Sequence, residues 1–82
     1  MEEKKPRLRT SKEVYDLLRW DPRRSPGDYR IGYGERFAGT AEVPLLEFDP
    51  GGEIPWHRVL YVRGPGGVVW DRRTRIDRLD EL

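Results

Sequence analysis

The stretch Val59-Leu60-Tyr61-Val62-Arg63-Gly64-Pro65-Gly66-Gly67-Val68-Val69-Trp70-Asp71 constrains the fold more than any other part of the chain. Two runs rich in β-branched and aromatic residues flank a Gly/Pro turn, which reads as a β-hairpin. With Gly64-Pro65-Gly66-Gly67 as a four-residue loop, Tyr61 faces Trp70, and His57, Val59, Tyr61, Trp70 and Arg72 share one face. Arg58, Leu60, Val62, Val69, Asp71 and Arg73 then occupy the other. A slip of one residue exchanges the partners. The first register is preferred because Leu60, Val62 and Val69 then point together toward a covering element.

That element lies upstream. Thr10-Ser11-Lys12-Glu13 matches a capping box, with Thr10 as N-cap and Glu13 three residues on. Val14, Leu17 and Leu18 follow at helical spacing. Pro22 disfavours the α conformation for Asp21, so the helix should stop near Trp20. Arg23 to Asp28 is a loop by composition. Tyr29-Arg30-Ile31-Gly32-Tyr33 alternates as a half-buried strand, and Val43 to Phe48 is a second strand. Pro44 lacks a ladder N–H and marks that strand as an edge.

These elements imply an α+β fold, one N-terminal helix packed on a small, curved antiparallel sheet of about four strands. A barrel-like sheet is the alternative, since the glycines offer places to bend. Residues 1–9 read as a flexible arm and 10–82 as one small domain, and there are no repeats.

Composition narrows the chemistry. An 82-residue domain buries only about 60–65% of its unfolded surface. No cysteine is present to brace it with disulfides or thiolate zinc, or to act as a nucleophile. One histidine excludes a two-histidine acid/base pair and a multi-histidine metal site. No apolar run approaches the roughly 20 residues of a membrane span, and nothing at the start resembles a signal peptide. The expectation is a cytoplasmic protein that meets no membrane and carries no cofactor.

Net charge is only +1, yet 13 of the 16 basic residues are Arg, suited to bidentate phosphate contact and to stacking. Residues 37–56 carry Glu42, Glu47, Asp49 and Glu53 with no Lys or Arg. That local charge of −4 leaves +5 on the rest, room for a basic face beside an acidic edge. The absence of Asn, Gln and Cys also suits a thermophile protein, whose arginines would then form surface ion-pair networks.

Trp20-Asp21-Pro22-Arg23, Tyr29-Arg30-Ile31-Gly32-Tyr33, Glu35-Arg36-Phe37, Ile54-Pro55-Trp56-His57-Arg58 and Val69-Trp70-Asp71-Arg72 together resemble a small archaeal family. It was long carried as uncharacterised and was later named the RNA cyclic group end recognition domain, or RNA repair domain. The resemblance runs from about Arg7 to Ile76, and the Ile-Pro-aromatic-His-Arg stretch is its most specific part. One departure is visible: Glu35-Arg36 stands where the family pattern has Asp-Arg, keeping the charge on a longer side chain. The family resembles a stand-alone version of a module found beside RNA-processing enzymes. The resemblance implies a single-stranded RNA end as ligand, one bearing a 2′,3′-cyclic phosphate or similar group, and an RNA-processing enzyme as a partner.

His57 with Arg58 is the leading candidate pair. An imidazole can hydrogen-bond a terminal phosphate or ribose hydroxyl while a guanidinium forks onto phosphate oxygens. The competing role for His57 is to tie the loop to the sheet after Pro55. Arg36, Arg72 and Arg23 form a second tier, each beside a carboxylate that could instead hold it in an ion pair. Trp56, Tyr61 and Trp70 could stack bases, or else fill the core. Trp56, at a loop–strand junction, is expected to be the most exposed tryptophan, and Trp20 and Phe48 to be core. Catalysis is the runner-up: a small phosphoesterase or nuclease using His57, or Mg²⁺ held by Asp21, Asp28 or Asp71. A protein-interaction adaptor using the acidic 37–56 edge is the third reading.

Overall fold

The computed structural model describes residues 8–35 and 39–81. Helix α1 spans Ser11–Trp20, and the capping box closes as expected: the Glu13 amide donates to Thr10 Oγ1 and the Thr10 amide to the Glu13 carboxylate. Two orphan donors of the first turn are thereby satisfied. The helix buries Ser11, Val14, Tyr15 and Leu18, while Leu17 is only half-buried at the margin of the core. The stripe is therefore turned from the Val14/Leu17/Leu18 reading, because Tyr15 contributes a ring to the core side.

The sheet has five antiparallel strands, one more than expected: β1 Arg30–Glu35, β2 Gly39–Pro44, β3 Val59–Gly64, β4 Gly67–Asp71 and β5 Ile76–Asp77. Their order is β2-β1-β3-β4-β5, so the sheet is open, with edges at β2 and β5, and does not close into a barrel. The fifth strand is two residues of a highly charged tail, too short and polar to show alternation. The second strand begins earlier than read and ends at Pro44, which lies at the end of an edge strand. Leu45–Glu47 is a 3₁₀ turn, not strand. From there the chain crosses under β1 to reach β3, and Leu45 and Phe48 of the crossover are buried with the helix in the core.

Two bulges set the register. Gly32 pairs with Tyr61 but Tyr33 pairs with Val59, so Leu60 is an extra residue in β3. Val62 pairs with Trp70 but Arg63 with Val68, so Val69 is extra in β4. Each bulge reverses the alternation of faces beyond it. Val59 and Val62, three residues apart, are accordingly both buried. The hairpin loop is the two-residue turn Pro65-Gly66, closed by a Gly64–Gly67 pair, and Gly67 takes a left-handed φ of 122°. The preferred register holds beside the turn, where Arg63 faces Val68, and is overturned beyond the Val69 bulge. Tyr61 stands opposite Asp71, and Trp70 opposes Val62 in the core, 1% exposed, its Nε1 donating to the Arg9 carbonyl.

Leu8 and Arg9 were read as the end of the arm, yet Leu8 packs against the core and the Arg9 guanidinium bridges Asp77 and Asp80. Among the described residues no helix is long and apolar enough to cross a membrane.

Candidate functional site

The corner of the domain where β3 begins carries the leading pair. Trp56–Arg58 form a single 3₁₀ turn after Pro55. The Trp56 ring anchors it from below. It meets Tyr15 edge-on at 5.7 Å between centroids and Phe48 at 5.1 Å, so helix, crossover and turn share one aromatic cluster. Such pairs add about 0.5–1.5 kcal/mol each beyond burial.

The backbone is braced as well. Ser11 Oγ donates to the Trp56 carbonyl at 3.0 Å, and Arg72 Nη2 donates to the same oxygen at 3.0 Å. Arg72 Nη1 donates to the His57 carbonyl. Leu8, Arg9, Thr10 and Ser11 close the other side of a shallow hollow lined by Trp56, His57, Trp70 and Arg72. His57 is exposed and Arg58 half-buried. Among the described residues, neither side chain has a hydrogen-bond or ion-pair partner. An anion reaching this corner would therefore meet an imidazole and a guanidinium that no described residue engages, on a turn fixed by three hydrogen bonds.

The other candidates divide. Trp56 is not the exposed ring: it is half-buried in its cluster, whereas Trp20, expected in the core, is 67% exposed with Arg19 stacked over it at 4.5 Å. Phe48 is core as expected. Arg23 lies away from the corner, on the loop after α1, folded onto Asp21, which also receives the Arg23 amide at 2.9 Å. That amide first, and then the guanidinium, hold the Asp21 carboxyl below its ordinary range. Arg36 lies outside the described residues. Asp21, Asp28 and Asp71 do not gather, and among the described residues no three His, Asp or Glu side chains stand close enough to hold a metal ion.

Tyr61 belongs to a different surface, the sheet face turned away from α1. A Cβ on Gly32 would collide with the Tyr61 ring, so the ring lies directly over that glycine. Its hydroxyl donates to Glu42 Oε2 at 2.5 Å. Arg63 forks onto both oxygens of the same carboxylate, at 3.1 and 2.7 Å, and Arg30 Nε donates to Oε1 at 3.1 Å. Arg63, then the Tyr61 hydroxyl, hold the Glu42 carboxyl at about 2 against the upward push of burial. Burial, then the Glu42 hydrogen bond, pushes the Tyr61 hydroxyl up. Arg73 completes the group 5.8 Å from the Tyr61 ring centroid. The sequence reading places Glu42 only in the acidic edge and does not single out Arg30, Arg63 or Arg73 as site residues. The signal was faint: Arg30 and Gly32 share parity on β1, but their partners are fixed only by pairing across three strands.

These elements define a small α+β domain that presents arginines at the corner where β3 begins and on the sheet face turned away from α1. The chain matches the MJ1316 RNA cyclic group end recognition domain over residues 8–72 and belongs to that family. It is similar to an archaeal UPF0248 protein of Thermococcus gammatolerans, 39% identical over 75 residues that cover 78% of this chain and 90% of the relative. A UPF0248 protein of Pyrococcus furiosus is likewise 39% identical, with 78% and 89% covered. No solved structure gives a significant match.

Proposed function

We propose that the protein binds single-stranded RNA ends and reads a terminal phosphate, foremost a 2′,3′-cyclic phosphate, through His57 and Arg58. One observation supports this reading: two adjacent side chains suited to phosphate stand without hydrogen-bond or ion-pair partners among the described residues, on a turn whose backbone is held by Ser11 and Arg72. A turn that only joined crossover to strand would need the brace but not the two donors. The family description supports RNA ends as the ligand.

The arrangement has chemical consequences. An open phosphomonoester carries about −1.5 to −2 charge at neutral pH, more than a cyclic diester. Charge alone therefore favours the open end, so a preference for the cyclic end must come from where the donors sit. Arg58 neutralises the phosphate oxygens with its planar fork, and the His57 imidazole hydrogen-bonds an ester oxygen or the ribose edge. Binding of this kind suits a module that holds ends for an RNA-processing or repair enzyme in the cytoplasm.

Matched short RNAs ending in 2′,3′-cyclic phosphate, 3′-phosphate and hydroxyl test the reading. Wild type should prefer the cyclic end, and His57→Ala and Arg58→Ala should each abolish the preference while leaving weak, salt-sensitive binding to internal RNA. Arg58→Lys should not restore it, because an ammonium lacks the two-pronged geometry. Wild-type affinities equal for all three ends would sink the reading.

A further inference from the structure

The sheet face opposite α1 has a construction that end-reading does not require. We propose that Tyr61, Arg63, Arg30 and Arg73 form a second subsite, which takes the body of the same RNA strand by stacking one base on Tyr61 and holding the adjoining phosphates. The proposal rests on the reading of the protein as an RNA binder and extends the bound length beyond the terminal nucleotide.

Charge comes first. On this face three guanidiniums, of Arg30, Arg63 and Arg73, are answered by two carboxylates, Glu42 and Asp71. One positive charge is left over, the sign that attracts a phosphodiester. The guanidiniums are also oriented before any ligand arrives. Glu42 takes both N–H groups of one edge of Arg63 and only Nε of Arg30, so each retains N–H donors directed away from the carboxylate. The Arg30 and Arg63 side chains remain 42% and 45% exposed. A bare ion-pair network of exposed pairs would contribute little to stability.

The aromatic ring supplies the second argument. Tyr61 lies over Gly32, where the missing side chain lets one ring face rest on the strand backbone. Its hydroxyl is tethered to Glu42, which restrains rotation of the ring about its bond to the chain. A half-buried tyrosine held against a sheet, with the Arg73 guanidinium over its ring at 5.8 Å from the centroid, combines the aromatic and guanidinium surfaces that single-stranded RNA binders use for base stacking, which tolerates any base. The sheet face and the His57 corner are joined through β3: Tyr61 is four residues from His57, at most about 13 Å along an extended chain. One short strand of RNA can reach both.

The test uses fluorescence anisotropy with RNA dinucleotides and octanucleotides, each ending in hydroxyl or in 2′,3′-cyclic phosphate. Tyr61→Leu fills the space over Gly32 without an aromatic face and should weaken octanucleotide binding about tenfold, within the range of one lost base–aromatic stack. Tyr61→Phe should recover most of that loss. Arg63→Ala should flatten the log–log salt slope by about 0.7. These losses should be the same for both ends and absent for dinucleotides. Denaturation midpoints of the variants separate loss of the ring from loss of the fold. If folded Tyr61→Leu and Arg63→Ala bind octanucleotides as wild type does, the subsite is rejected, whatever the end preference. If the octanucleotide effects appear while wild type ignores the terminal group, the subsite stands and end-reading at His57 falls.

Discussion

Arg72 and His57 meet through the backbone: the Arg72 guanidinium donates to the His57 carbonyl and leaves the imidazole untouched. The residue following the buried Trp70-Asp71 pair therefore acts on the candidate RNA corner by fixing where the turn lies. Its second donor, to the Trp56 carbonyl, makes the brace two-pronged.

Removing that brace should affect stability and end-reading together. Arg72→Ala should cost about 1–2 kcal/mol in urea denaturation, the scale of charged hydrogen bonds at a partly exposed site. Arg72→Lys should restore less than half of this, since one ammonium cannot span two carbonyls in a fixed plane. A loss below 0.3 kcal/mol for Arg72→Ala would show that the turn stands on Ser11 and the aromatic cluster alone.

The two leucines of α1 should differ sharply. Leu18 is fully buried, and Leu18→Ala should cost about 2–5 kcal/mol. Leu17 lies at the core margin, and Leu17→Ala should cost less than about 2 kcal/mol because part of its surface is already in water. Equal losses in chemical denaturation would mean that the helix is rotated about its axis relative to this packing.

Acid should loosen the sheet face through Glu42. Its folded-state pKa of about 2 lies below the ordinary 4.5, so its contribution is complete above pH 4.5 and disappears as pH falls toward 2. Asp71 also titrates low: burial pushes it up, but hydrogen bonds from Thr74 and Arg73 outweigh that. The difference between wild type and Glu42→Gln isolates the single group. Wild type should lose its advantage over the variant between pH 4.5 and 2, and a difference that stays constant over that range would contradict the geometry around Glu42.

RNA affinity should fall linearly with salt on logarithmic axes. Two to four phosphate contacts give a slope of roughly −1.5 to −3, at about 0.7 per contact on single strands. Arg58→Ala should flatten it by a little under one unit. An affinity indifferent to salt would favour an adaptor that docks on protein.

The parts of the fold governed by local rules were readable from residues alone. Thr10 and Glu13 define the helix start whatever surrounds them, and Pro44 keeps its strand at an edge. The bulges were not readable, because an extra residue at Leu60 or Val69 leaves the composition of the run unchanged and appears only when a partner strand is laid beside it. That one uncertainty moved Trp70 into the core and separated Tyr61 from it. The same limit explains the site. His57 and Arg58 are neighbours in sequence, so residues alone suffice to name them as a candidate pair. Arg30, Glu42 and Arg63 come from three strands and converge only through pairing. The tryptophans were misjudged for a related reason: Trp56 is drawn down by Tyr15 and Phe48, distant residues whose rings it meets only after the crossover folds.

Gly32 and Tyr61 are bound in one evolutionary choice. Any side chain at position 32 evicts the ring above it, and any small residue at 61 leaves the strand floor bare. Descent should then treat the two positions as a single heritable character: lineages that keep the tyrosine keep the glycine, and lineages that lose one are released from the other. A protein of this family with a bulky residue at 32 would have abandoned the ring as well, and with it the hydroxyl that holds Glu42.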